Sequence, residues 1–269
     1  MKLELRPIDS IQELREIEFV QREVWGLRDL DIVPALVLKA TIAAGGSLIG
    51  AFHGNEIAGF VYAFVGLESG ETILHSDMLA VRTQYRGTGL GVRLKLAQRE
   101  RAMSQGIARI TWTFDPLQSE NAHLNFRKLG VTSDRYIEDF YGETSSPLHQ
   151  ATETDRLWVS WKLDSRHVLE RITGHPPTAR HVARRIQVMG LNGVPQLQPG
   201  TEISDPEVAI EIPSDFRGLV AVDPALAEVW REASRRTFQD LFSRGYSVTD
   251  FVRGEKAGTY LLSREAAQD

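Results

Sequence analysis

The run Arg86-Gly87-Thr88-Gly89-Leu90-Gly91 lies between a strand-like segment, Thr72 to Val81, and a helix-like one, Val92 to Gln105. Three glycines within five residues let the backbone turn sharply and come close to a ligand. The following helix offers its unpaired N–H groups and the positive end of its dipole, so the placement points to an anion, and above all to phosphate. A Walker loop would need Gly-Lys followed by Ser or Thr, whereas this loop ends in Leu90-Gly91-Val92. A dinucleotide fold would place its glycines after the first strand of a βαβ unit, with an acidic residue about 20 positions on, and that context is missing too.

A second informative stretch runs from Ser119 to Val131, Ser-Glu-Asn-Ala-His-Leu-Asn-Phe-Arg-Lys-Leu-Gly-Val. Ala122, Phe126 and Leu129 fall at i, i+4 and i+7 and share one helical face, with Ser119 predicted as N-cap and Gly130 as the residue that ends the helix. The strand Arg109 to Phe114 separates it from the glycine loop.

The pattern Arg-x-x-Gly-x-Gly, preceded by Met78-Leu79-Ala80-Val81-Arg82 and by Tyr85, resembles the acyl-CoA pyrophosphate loop of the GNAT (Gcn5-related N-acetyltransferase) superfamily. The order strand, loop, helix, strand, helix is similar to the heart of that fold. The resemblance implies an α/β (α+β) GNAT fold, a mixed, largely antiparallel sheet with splayed central strands flanked by helices. A C-terminal α/β extension lies beyond its reach. It also implies an N-acyltransferase that moves an acyl group, most often acetyl, from acyl-CoA to the primary amine of a small metabolite such as an amino acid. Carried over residue by residue, it puts Arg86, Gly87, Thr88, Gly89, Leu90 and Gly91 on the pyrophosphate and the backbone of Leu79, Ala80 and Val81 on pantetheine. Ser119 joins the cofactor-binding set, at a position where many members carry asparagine.

Direct acyl transfer requires the amine to lose its proton, the oxyanion to be held and the thiolate to leave. His75 lies on the site strand where several members carry a catalytic glutamate, and an imidazole can accept a proton near neutral pH. Asp77 shares its face by period-two alternation and either orients His75 or acts in its place. Asp115 is a third candidate, although Pro116 after it equally suggests the start of a turn. The chain departs from the family at Phe126, where many members have a tyrosine that protonates the leaving sulfur. Tyr136 or Tyr141 then serves instead, the thiolate leaves unprotonated, or the domain is a non-catalytic acyl-CoA-binding or regulatory module with a protein partner. The resemblance also suggests a homodimer.

Composition sets outer bounds. The 269 residues suffice for one domain or two, and a net charge of −5 gives no footprint of a nucleic-acid partner. The absence of cysteine excludes disulfides, Cys-ligated zinc and a cysteine nucleophile, and the seven histidines lack metal-site spacing, so no metal is expected. The first residues lack a signal-peptide core and no apolar run reaches the ~20 residues that span a bilayer. The expectation is a cytoplasmic protein without a membrane partner.

The expected organisation is a GNAT domain over 1–164, a helical and Gly/Pro-rich connection over 165–206, and a small C-terminal α/β unit over 207–269. In the first part a strand at Lys2 to Arg6 precedes Ser10-Ile11-Gln12-Glu13, a capping box that opens a helix to about Trp25. A helix over Pro34 to Ala44 and strands Ser47 to His53 and Glu56 to Leu67, joined by a Gly54-Asn55 turn, follow. Leu157 to Leu163 reads as the closing strand. The stretch Asp134 to Thr154, with Tyr136, Phe140 and Tyr141, reads either as an acceptor-binding loop or as a strand and surface connection. Arg166 to Arg185 reads as a basic helical stretch broken by Gly174-His175-Pro176-Pro177, whose Arg180, Arg184 and Arg185 either meet an anionic ligand or form a solvated face. Strands at Val208 to Ile212, Ser247 to Arg253 and Gly258 to Ser263 surround a helix opened by Asp223-Pro224 and stopped by Gly245.

Overall fold

The computed structural model describes residues 3–142, 154–174, 184–197 and 203–264. Lys2, the part of the expected acceptor loop at 143–153, Arg180 and the remainder of the basic stretch at 175–183 lie outside the described residues, as does 198–202. The described chain falls into two compact units, one reaching Trp112 and the other starting at Thr113.

The first unit is built on strands β1 (Glu4–Pro7), β2 (Ser47–His53), β3 (Glu56–Glu68), β4 (Glu71–Val81) and β5 (Arg109–Phe114), which neighbour one another in that order. The pairs are antiparallel except β4 with β5, which run parallel. Helix α1 (Ile11–Trp25) is opened by Ser10, whose hydroxyl accepts from the Glu13 N–H at 3.3 Å, as the capping box predicts, and donates to the Glu13 carboxylate at 3.0 Å. Helix α2 (Ala35–Ala43) follows, and α3 (Leu90–Ser104) comes after the glycine loop.

Each face of this sheet buries its own core. Leu14, Ile17 and Val20 of α1 and Ala35 and Leu38 of α2 pack with Phe60, Tyr62, Met78 and Ala80. On the other face Leu90 and Leu94 of α3 pack with Ile49, Ala51 and Val61, and with the partly buried Leu79 and Val81. Odd and even residues of the lower half of β4 thus serve opposite cores, as the pleat requires.

Between them β4 carries an extra residue. Tyr62 is paired with Met78 but Ala63 with Ser76, so Asp77 has no counterpart on β3, a β-bulge. The parallel ladder to β5 is equally short, with Leu74 opposite Ile110 and His75 opposite Thr111. Among the described residues no further pair joins the two strands, so they part beyond His75, matching the expected splay.

The second unit contains α4 (Ser119–Ala122), a π-helical stretch His123–Leu129, β6 (Thr132–Ile137), β7 (Arg156–Lys162), α5 (Arg166–Ile172), β8 (Arg184–Met189), β9 (Pro195–Leu197), β10 (Glu207–Pro213), α6 (Phe216–Val222), α7 (Pro224–Ser243), β11 (Ser247–Val252) and β12 (Ala257–Ser263). Its strand order is β7-β6-β11-β12-β10-β8-β9. The C-terminal strands therefore join β6 in one sheet, through Val248 opposite Ser133. Arg184 and Arg185 stand on a strand rather than on the predicted basic helix, which ends at Ile172. Part of the predicted connection is ordered too, because β9 pairs antiparallel with β8. The core of this unit is aromatic: Tyr260 touches Phe126, Phe238 and Phe251 edge-on, with ring centroids 4.8–5.7 Å apart.

Candidate active site

The loop from Arg86 to Gly91 takes its shape from its own residues. Gly87 and Gly89 have φ of 75° and 77°, the left-handed region that costs a residue with a β-carbon about 1–2 kcal/mol. Thr88 ties the turn shut through its hydroxyl, which donates to the Tyr85 carbonyl at 2.7 Å, and the Arg86 Nε–H donates to the Val81 carbonyl at 3.2 Å. The first α3 amide with an internal acceptor is that of Arg93, bonded to Gly89 at 3.2 Å. Among the described hydrogen bonds none begins at the N–H groups of Gly87 through Val92. Those donors, at the end where the helix dipole is positive, match what a diphosphate would accept. A β-carbon at Gly87 or Gly89 would meet no protein atom within 4 Å, so space lies open beyond the loop.

β4 carries the candidate bases. The His75 side chain is buried, its ring 5.3 Å from that of Phe64, and Nδ1 lies 3.0 Å from the Thr111 hydroxyl. Burial, with the nearby Lys95 as second cause, lowers its imidazole to about 4. Lys95 is itself pushed well below the usual lysine range by burial, so desolvation of the ring is the cause that stands. Asp77 is exposed, and the protein flanking it raises its carboxyl above the usual range by partial desolvation. Its charge acts on Tyr62, which belongs to the core on the α1 and α2 face. Phe64 packs against that same core. The bulge interrupts the plain alternation at Asp77, while the His75 ring lies against Phe64 on the α1 and α2 side.

Leu79, Ala80 and Val81 follow on the part of β4 that has no β5 partner, with their backbone edge toward the parting strands. The first unit thus brings together His75, Asp77, the Leu79–Val81 edge and the Arg86–Gly91 loop.

The remaining candidates stand in the second unit. Ser119 is buried, but it is the first residue of α4 rather than its cap; Gln118 holds the cap position. A β-carbon at Gly258 would come within 2.9 Å of the Ser119 hydroxyl, which places Ser119 against β12. Gly130 ends the π-helical stretch with φ of 72°, as anticipated.

Asp115 is not available as a base. Arg231 grips it bidentately at 2.6 and 3.0 Å, the Leu117 N–H donates to it at 3.0 Å, and its carboxyl is held at about 2 by the guanidinium against the opposing effect of burial. The turn reading of Asp115-Pro116 is the one the geometry bears out. Tyr136 is likewise committed, donating to Asp155 at 2.6 Å and stacked on Phe238, with its hydroxyl pushed upward by burial. Tyr141 is half exposed, with its hydroxyl 3.5 Å from that of Thr113. Phe126 is buried against Phe114 and Tyr260 and has no proton to give.

Two residues beside the candidate bases escape sequence reasoning. Thr111 alternates between Ile110 and Trp112 and reads as a plain strand residue. Lys95 follows Leu94 on α3 and reads as a solvent-facing lysine, yet it is buried with its Nζ 2.8 Å from the Ser76 hydroxyl. No local pattern announces either, since each is defined by a partner on another element.

Among the described residues no helix is long and apolar enough to cross a membrane, and no cluster of three or more His, Asp or Glu is arranged to hold a metal. Residues 8–131 match the model of the acetyltransferase (GNAT) family. NAA60 from Arabidopsis thaliana in complex with acetyl-CoA is 16% identical, the likeness covering 60% of this chain and 99% of that one with a TM-score of 0.48. Naa50 from Arabidopsis thaliana in complex with the bisubstrate analogue CoA-Ac-MVNAL is 18% identical, covering 60% and 98% with a TM-score of 0.47. An acetyltransferase of the GNAT family from Streptococcus pneumoniae is 17% identical, covering 59% and 98% with a TM-score of 0.47. A comparison with the curated proteins finds no match. The glycine loop and the parting strands lie inside the segment, residues 8–131, that is similar to the acetyltransferase (GNAT) family.

Proposed function

We propose that the protein transfers an acyl group, acetyl in the simplest case, from acyl-CoA to the primary amine of a small metabolite such as an amino acid. The observation that carries the reading is the conjunction of unengaged loop amides at the α3 N-terminus with a β4 edge that loses its partner beyond His75. The amides of Gly87 through Gly91 would take the pyrophosphate, and the main chain of Leu79 to Val81 would pair with pantetheine as a missing strand would. Ser119 remains a proposed cofactor contact.

The amine nitrogen forms a bond to the thioester carbonyl carbon, the carbon–sulfur bond breaks, the sulfur leaves with the electron pair, and the amine loses a proton to a base. Asp77 suits that last task better than His75: it reaches solvent and its proton affinity is raised, whereas burial makes His75 a weak acceptor. His75 then serves as a neutral polar wall of the site. The sulfur can leave as thiolate, the pKa of a thiol being near 8.5.

The test is release of free CoA from acetyl-CoA with a panel of amino acids and other small amines, beside calorimetric titration with CoA. The reading expects turnover that Asp77→Asn lowers by about 10²–10⁴-fold. CoA binding without release for any amine would favour a non-catalytic acyl-CoA module, and absence of CoA binding would end both readings. A cytoplasmic location and a homodimer accompany the proposal, to be checked by fractionation and by light scattering.

A further inference from the structure

Lys95 projects from α3 into the first unit with almost all of its surface buried. Its Nζ donates to the Ser76 hydroxyl at 2.8 Å and to the Gln98 side-chain oxygen at 3.1 Å, and stands 3.5 Å from the centre of the Trp112 ring. A buried amine is costly, and here two acceptors and an aromatic face offset the loss of water. The bond to Ser76 raises the question of why the amine is placed there.

The reason lies in the register of β4. Leu79 and Val81 pack on the α3 side and Met78 and Ala80 on the α1 and α2 side. Unbroken alternation from there would send Ser76 to the α1 and α2 side, away from Lys95, and would aim His75 at α3. The structure has the reverse: Ser76 meets Lys95 of α3, and the His75 ring lies against Phe64. The extra residue at Asp77 makes the inversion, and the Lys95–Ser76 bond exists only in the inverted register. A bulge at a functional strand re-aims side chains in this way.

We propose that Lys95 is a positioning residue, whose bond to the Ser76 hydroxyl holds β4 in the bulged register that turns His75 away from α3 and places Asp77 at the bulge, beside the reacting groups. What those two residues do there rests on the function proposed above; the register itself does not. Protonated or neutral, the amine has N–H groups to donate, so the latch works in either form.

The test joins a structural and a kinetic measurement on the full chain. In wild type, cross-strand NMR contacts should link Tyr62 with Met78 and Ala63 with Ser76. Lys95→Met, which keeps most of the apolar stem, should weaken the Ala63–Ser76 contact in favour of Ala63–Asp77. It should also lower kcat by about 10²-fold, the cost of an ångström-scale misplacement, while calorimetric affinity for CoA stays at the wild-type value. Ser76→Ala should do the same, and the double variant should lose no more kcat than Lys95→Met alone, because Lys95→Met already removes the bond to Ser76. Unchanged contacts and unchanged kcat in Lys95→Met and Ser76→Ala would overturn the proposal. If Lys95→Met does not fold, Ser76→Ala decides by the same two readouts. If wild type shows no turnover, the functional reading fails and the NMR register alone decides this one.

Discussion

His75 Nδ1 lies 3.0 Å from the Thr111 hydroxyl, at the last paired position of the parallel ladder between β4 and β5. The bond fixes the plane of the imidazole at the point where the strands begin to part. Thr111→Val keeps the shape and the strand preference but removes the hydroxyl. It should cost about 1 kcal/mol of stability, the worth of a buried hydrogen bond, and urea unfolding measures it. An unchanged midpoint would mean that the imidazole finds an equivalent partner.

The same burial makes stability pH-dependent. The folded-state imidazole of His75 is lowered from 6.5 to about 4, so in that window the unfolded chain binds a proton that the folded chain refuses. Stability is therefore present above 6.5 and lost as pH falls toward 4, by roughly 3 kcal/mol at most from this residue. His75→Gln should flatten the slope of unfolding free energy between those limits. An identical slope in both proteins would show that the ring is protonated in the fold.

The three loop glycines should separate into two kinds. Gly87→Ala and Gly89→Ala force a β-carbon into positive φ and should each lose about 1–2 kcal/mol of stability together with CoA affinity. Gly91 has no such φ, and its β-carbon would sit in ordinary contact, 3.9 Å from a Leu79 methyl. Gly91→Ala should therefore keep its melting temperature and lose affinity alone, as seen by calorimetry. Loss of stability in all three would point to a purely structural turn.

In the second unit, Asp115 and Arg231 act as one object. Arg231→Met leaves a buried carboxylate without its bidentate partner and should cost about 3–5 kcal/mol, while Asp115→Leu with Arg231→Met should recover part of the loss. Because the folded-state carboxyl is lowered from 3.8 to about 2, the pair's stabilisation is complete above 3.8 and disappears as pH falls through about 2. Chemical unfolding of the variants reads both effects.

The elements of the first unit were legible because their signals are local. Ser10 and Glu13 cap α1, Gly54 and Asn55 turn β2 into β3, and β5 is a run of six residues whose bounds match the reading residue for residue. The stretch after Ser119 was legible as a helix with Ala122, Phe126 and Leu129 inward, but not as one that widens to π geometry at His123. Nor was the place of Arg184 and Arg185 on β8 legible, since that strand is defined by a parallel partner, β10.

By itself the sequence determined the glycine loop and its flanking strand and helix, and hence the kind of ligand proposed for the domain, because backbone conformation at Gly87 and Gly89 and the exposed amides of a helix start depend on near neighbours alone. The tertiary structure decided which polar residues are free to act. Asp115 went to Arg231 and Tyr136 to Asp155, while Lys95 reached Ser76 and set the register that orients His75 and Asp77. Those outcomes turn on contacts between residues 19 to 116 positions apart, where burial and pairing fix proton affinity and direction, and no short-range pattern records them.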